Sequence, residues 1–188
     1  MTNRLIVRGE PERVQALISY VKTEDTPFSF DKIIQMPIEM EETDIEDIET
    51  EELKAISRRN KSKFGHESPY AWRFQYWGTI VDAAEGVLTE GTGIEFLAAI
   101  LSESISIEYV FNTFDVQMEN FHPLIQKLSR CFPMLRIEHD YIEEMPYFGG
   151  SRTYENGNCL QSAHMTTRNN IWDLSAWHET FAPPLDDE

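Results

Sequence analysis

Apolar positions along the chain recur at two spacings, and the spacings alternate. "RLIVRG", 4 to 9, is a short β-rich run closed by Gly9. "PERVQALISYVKTE" follows, with Pro11 suited to a first helical turn and Val14, Leu17, Ile18 and Val21 three or four residues apart. "FSFDKIIQMP" then has extended character and stops at Pro37, so the opening predicts strand, helix, strand. The second half repeats the order: "SIEYVFNTF" as a strand, "ENFHPLIQKLSRCFP" as a helix and "MLRIEHDYIEE" as an alternating strand. In "YFGGSRTYENGNCLQSAHM", Glu155, Asn156 and Gly157 predict a hairpin turn, and Gly149 with Gly150 an earlier bend. Two such units predict an α+β fold, a ferredoxin-like split βαβ sandwich whose mostly antiparallel sheet carries helices on one face.

The halves are separated by a different texture. "EETDIEDIETEE", 41 to 52, has an acid at nearly every second position, and Thr43 with Glu46 fits a capping box ahead of Ile45, Ile48, Leu53 and Ile56 on a helical stripe. Arg58, Arg59, Lys61 and Lys63 lie at and beyond the end of that helix, an order that complements the helix dipole. The dipole rewards acids in the first turn only, so the later ones should mostly repel one another. "SPYAWRFQYWGTIVDA", 68 to 83, predicts a short helix, a turn at Gly78 and a strand, with Trp72, Tyr76 and Trp77 as core instead of a stacking platform. "TEGTGIEFLAAILSES", 89 to 104, lacks the lysine and spacing of a phosphate loop and predicts a turn and a core helix. The organisation expected is one domain over 1–165 with an acidic helical insertion at about 39–77. Residues 166–188 form an extension whose end, "APPLDDE", is expected to be mobile.

Composition narrows the class of partner. A chain of 188 residues, 41% hydrophobic and 12% aromatic, suits one folded core. Its 33 acids against 16 Lys and Arg give a formal charge of −17, which repels phosphate backbones and acidic membrane surfaces. Direct nucleic-acid binding and membrane association are not expected; a basic protein surface would be attracted. Cys131 and Cys159 have neither metal spacing nor the density of a disulfide scaffold, and "MTNRLIVRGE" lacks a signal peptide's apolar core, so free thiols and a cytoplasmic location are expected. The apolar runs, such as "IEFLAAIL", fall well short of the roughly 20 residues a bilayer span needs.

"RLIVRG", "FDKIIQMP", "WRFQYWGTIVDA" and "LSRCFPMLRIEHDYIEEMPYFGG" together resemble the YubB-type proteins carried by plasmids and phages. The elements that carry the likeness are Trp77-Gly78-Thr79 after Met36-Pro37, and Phe132-Pro133 followed by a strand and Gly149-Gly150, across most of residues 3 to 165. Ile80, Val81 and Asp82 stand where members of that family tend to carry a basic residue and a second tryptophan. The resemblance implies a ferredoxin-like domain and a mobile-element setting, and no activity.

Candidate chemistry is sparse. Glu138, His139 and Asp140, with His122, Glu143 and His164, are the residue types of a metal or acid–base site. Strand alternation lets Glu138 and Asp140 share a face and puts His139 on the other. Cys131 could pair with His122 or His164, but a helix C-terminus beside Phe132 raises a thiol pKa, and a buried, inert cysteine is expected. No serine has a hydrolase setting, and no cofactor or metal site is expected. The resulting expectation is a non-enzymatic acidic interaction protein, a DNA mimic that occupies the basic groove of a nuclease or defence complex. Its contact surface would be Glu41, Glu42, Asp44, Glu46, Asp47, Glu49, Glu51 and Glu52. Two alternatives stand beside it: a metal-assisted or acid–base enzyme built on Glu138, Asp140 and His164, and a protein whose acidic helix is only a solvated face that confers solubility while recognition runs through an apolar patch or an exposed sheet edge.

Overall fold

The computed structural model describes residues 1–41, 51–90, 104–114, 116, 118–143 and 148–166. Six strands, β1 (Thr2–Gly9), β2 (Ala84–Glu90), β3 (Ile105–Asn112), β4 (Arg136–Ile142), β5 (Phe148–Glu155) and β6 (Asn158–Thr166), form one sheet in the order β2-β3-β1-β4-β5-β6. Every neighbouring pair is antiparallel. Between β1 and β2 lie α1 (Pro11–Val21), α2 (Phe30–Ile33), α3 (Ile38–Glu41), α4 (Glu51–Phe64) and α5 (Pro69–Tyr76), and α6 (Met118–Cys131) links β3 to β4. Strands β1 and β2 flank β3, and β3 and β4 flank β1, so two split βαβ units interleave as a ferredoxin-like fold requires. The hairpin β5–β6 widens the sheet beyond β4.

Period-two burial decides which face is covered. Leu5 and Val7 of β1, Ile107, Tyr109 and Phe111 of β3, and Ile137 of β4 are buried against Val14, Leu17 and Val21 of α1 and Leu124, Ile125 and Leu128 of α6. Each is worth about 1.5–3 kcal/mol as a buried large apolar group. The opposite face carries charge: Arg4 pairs with Glu108 at 2.7 Å, and Arg8 and Arg136 reach the same Glu138 oxygen at 2.7 and 3.0 Å. The hairpin turn falls where the sequence predicts it. Asn156 (φ 49°) and Gly157 (φ 72°) form a two-residue loop between the paired Glu155 and Asn158, the positive-φ geometry that a tight hairpin needs.

Three expectations are corrected. "FSFDKIIQMP" is not the second strand of the first unit; Phe30–Ile33 makes one helical turn, because Asp82 caps it from a distance. The Asp82 carboxylate accepts from Phe30 N at 2.5 Å and from Ser29 Oγ at 2.6 Å. The strand that replaces it starts after "IVD", at Ala84. Gly149 and Gly150 lie inside β5, paired with Ile142 and Tyr141, instead of at a bend. Segment 91–103, which holds most of the predicted core helix, lies outside the described residues, as do the capping box at Thr43 and the tail.

The tryptophan motif acts as an architectural clasp. Buried Trp77 donates its indole N–H to Ile34 O at 2.8 Å, Gly78 supplies φ 73°, and buried Thr79 donates to Phe114 O at 2.7 Å. Trp72 and Trp77 are core, as read from the sequence, whereas Tyr76 is 40% exposed.

Candidate functional site

The acidic stretch enters the described structure only at its edges. Glu41 is the last residue of α3, and Glu51 and Glu52 are exposed in the first turn of α4; Glu42, Asp44, Glu46, Asp47 and Glu49 lie outside the described residues. Helix α4 is a solvated helix, with Asn60 as its buried residue and Leu53 and Ile56 half-buried. Its basic end is engaged locally: Lys61 pairs with Glu67 at 2.5 Å and Lys63 with Glu39 at 2.8 Å, and each lysine holds its partner carboxyl below the usual range, chiefly through the hydrogen bond.

The strand carboxylates and the histidines separate by register. Glu138 and Asp140 share the open face, where burial raises the Asp140 carboxyl and Ser151 and Arg4 oppose that rise. His164 pairs with Gly150, which pairs with Tyr141, so it belongs to the helix-covered face. The sheet therefore stands between His164 and Asp140, and the acid–base trio Glu138, Asp140 and His164 is not assembled. Among the described residues no three His, Cys, Asp or Glu side chains are grouped to hold a metal ion. Cys131 ends α6 as predicted but is exposed, contrary to the expectation of a buried thiol: Leu128 and Ser129 take the buried positions of the last turn. His122 lies nine residues earlier on the same helix, about 13 Å away along the axis.

Alternation and pairing do gather three histidines on the covered face. His139 is fully buried under α6, its ring 5.3 Å from Phe121, 6.1 Å from His122 and 5.4 Å from Tyr141. Its Nε2 lies 3.1 Å from Asn3 Oδ1, and Asn3 Nδ2 donates to Thr113 Oγ1 at 2.8 Å. That order makes Nε2 the donor and leaves Nδ1 an acceptor.

Beside this cluster, between α6 and strands β4–β6, a cavity of about 500 Å³ opens. His122, Pro123 and Gln126 of α6 form one wall; Tyr141, Arg152, Tyr154, Cys159 and His164 of the sheet form the other. The hairpin is fastened to the helix by Gln126 Nε2 donating to Gly157 O at 2.7 Å and by Gly157 N donating to Ser129 Oγ at 3.1 Å. Tyr141 lies across Gly150, where a Cβ would fall inside the phenol, and its hydroxyl is 3.5 Å from His164 Nδ1.

Burial sets the protonation states. It pushes His139 down to about 3 and His122 down to about 4, with neighbouring charges acting in the same direction: His122 and Arg152 on His139, Arg152 and His164 on His122. Burial raises Tyr141, and raises Tyr154 to about 12, against the pull of Arg152 in both cases. At neutral pH the cavity thus holds a neutral imidazole at His122, protonated phenols and the Arg152 guanidinium, with neutral His139 buried beside it. His122 Nδ1, Tyr154 OH and Arg152 Nε are buried without a hydrogen-bond partner among the described residues.

Sequence reasoning singled out His122 and His164 but not Tyr141, Arg152 or Tyr154. The available signal was two-residue spacing, His139 with Tyr141 and Arg152 with Tyr154, on strands joined as neighbours.

No family model and no curated protein matches the chain. Among solved structures it is similar to protein api92 from Yersinia pseudotuberculosis, of the family DUF1281, at 10% identity and a TM-score of 0.48, over 88% of this chain and 97% of that one.

Proposed function

We propose that this is a non-enzymatic acidic interaction protein, of phage or plasmid origin, whose helical insertion engages the basic nucleic-acid site of a host nuclease or defence complex. The observation that carries the reading is the uneven bookkeeping of charge around α4. Its last-turn lysines are tied to Glu67 and Glu39, while Glu42, Asp44, Glu46, Asp47 and Glu49 precede it with no Lys or Arg among them. Carboxylates so dense in the sequence just ahead of a solvated helix would project a negative field that a Lys/Arg groove built for phosphates would meet, giving fast, salt-sensitive association. The mobile-element setting implied by the sequence resemblance supports the choice of partner.

The test is capture from a bacterial lysate on the immobilised protein, washed in parallel at low and high salt. Expected is a basic nucleic-acid-handling protein retained at low salt, released at high salt and absent when Glu42, Glu46, Asp47 and Glu49 are changed together to Gln or Asn. Retention by that variant would sink the reading.

A further inference from the structure

The geometry points to a second binding site: the cavity between α6 and strands β4–β6 takes a small organic monocarboxylate, with Arg152 as its counter-ion and His122 and Tyr154 as hydrogen-bond partners. The first support is an imbalance of pairing. In a chain with 33 acids and 16 bases, Arg152 makes no ion pair with a carboxylate among the described residues, although Arg4, Arg8, Arg13 and Arg136 each do. The second is burial. His122 is 8% and Tyr154 1% exposed, both line the cavity, and His122 Nδ1 and Tyr154 OH have no hydrogen-bond partner among the described residues. Buried polar groups are ordinarily satisfied, so unsatisfied ones on residues that wall a cavity mark the place where a ligand supplies the missing atoms. The third is construction: Gly150 lets Tyr141 cross β5, and Gln126 fixes the hairpin wall to α6.

The same groups choose the ligand. A guanidinium fork fits the two oxygens of a carboxylate. Arg152 is the permanent cation of the cavity, so a phosphate dianion would bring more charge than that one guanidinium matches, in a protein already at −17. Ring faces of Tyr141 and Tyr154 and the pyrrolidine of Pro123 suit an apolar or aromatic body, and about 500 Å³ holds a compact one. This site is independent of the acidic insertion.

Calorimetric titration with benzoate near pH 7.5 tests the proposal, with benzamide and phenyl phosphate as probes of charge. Expected is saturable one-to-one binding of benzoate, with both other probes weaker by roughly tenfold or more. Arg152→Gln should weaken benzoate by a similar factor, and Tyr154→Phe, which keeps the ring and so guards against a folding failure at Arg152, by several-fold. Asp140→Asn, on the opposite face of the sheet, should leave binding unchanged. Absence of saturation up to about 10 mM, equal affinity for benzamide, tighter binding of phenyl phosphate, or full binding by Tyr154→Phe would each overturn it.

Discussion

His139 and His122 make stability sensitive to acid. Both are held neutral in the fold, at about 3 and about 4, while the unfolded chain titrates near 6.5. A histidine lowered in the folded state contributes stability that is fully present above pH 6.5. It is lost as pH falls toward the folded value, because the unfolded chain takes up the proton first. Each site then costs on the order of 1 kcal/mol per pH unit across that window. Asp140, raised by burial, works the other way and offsets part of the loss. Urea midpoints should therefore fall between pH 6.5 and 4.5, and His122→Gln should flatten the slope; an unchanged slope would mean that His122 is not neutral in the fold. That His139 faces the core is readable from strand alternation alone. That it meets His122 and Phe121 there is not, since α6 brings them from another part of the chain.

At the scale of elements, the clearest departure from local expectation is α2. Four residues rich in β-formers cannot be told from a strand by periodicity, and what decides the matter is a carboxylate more than fifty positions away in sequence. Asp82 accepts from Ser29 Oγ, Phe30 N and its neighbour Ala83 N. Asp82→Ala should cost on the order of 1–3 kcal/mol in chemical denaturation, since it orphans donors at a buried helix start. A loss below about 0.5 kcal/mol would show that the aromatic packing of Phe28 and Phe30 holds the turn unaided. The elements read correctly, α1, α6, β1, β3, β4 and the Asn156–Gly157 turn, are those whose signals are local: apolar spacing over two or more turns, alternation, or a residue pair suited to positive φ. Strand β2, "AEGVLTE", carries Gly86 and a register shift between Ala84 and Val87, and has no such signal.

For the whole molecule, charge is the property most legible in the sequence, and its effect on the fold can be separated from its effect on partners. A formal −17 on 188 residues repels itself, and exposed ion pairs such as Lys54–Glu51 offset little of that. Raising NaCl from about 50 to about 500 mM shortens the screening length from more than 10 Å to about 4–5 Å and should raise the urea midpoint. The variant with Glu42, Glu46, Asp47 and Glu49 neutralised should be at least as stable as the parent and respond less to salt. A lower midpoint in salt would mean that the ion pairs on the open face outweigh the repulsion.

The position of β1 has a consequence for how the chain reaches this state. It is the first of the strands along the chain and lies between β3 and β4, and Asn3 bonds to Thr113 and His139, 110 and 136 positions further on. A ribosome making this protein holds the middle of the sheet out in solution with both edges unpaired until β3, ending at Asn112 of 188 residues, has emerged, and with the other edge open until β4 follows, ending at Ile142. Loop-closure entropy over such separations places folding in the slow class of small domains, milliseconds to seconds, and leaves an apolar strand open to other chains during the wait. Arg4 and Arg8, alternating with Leu5 and Val7 along that strand, put charge on one face of it throughout that interval.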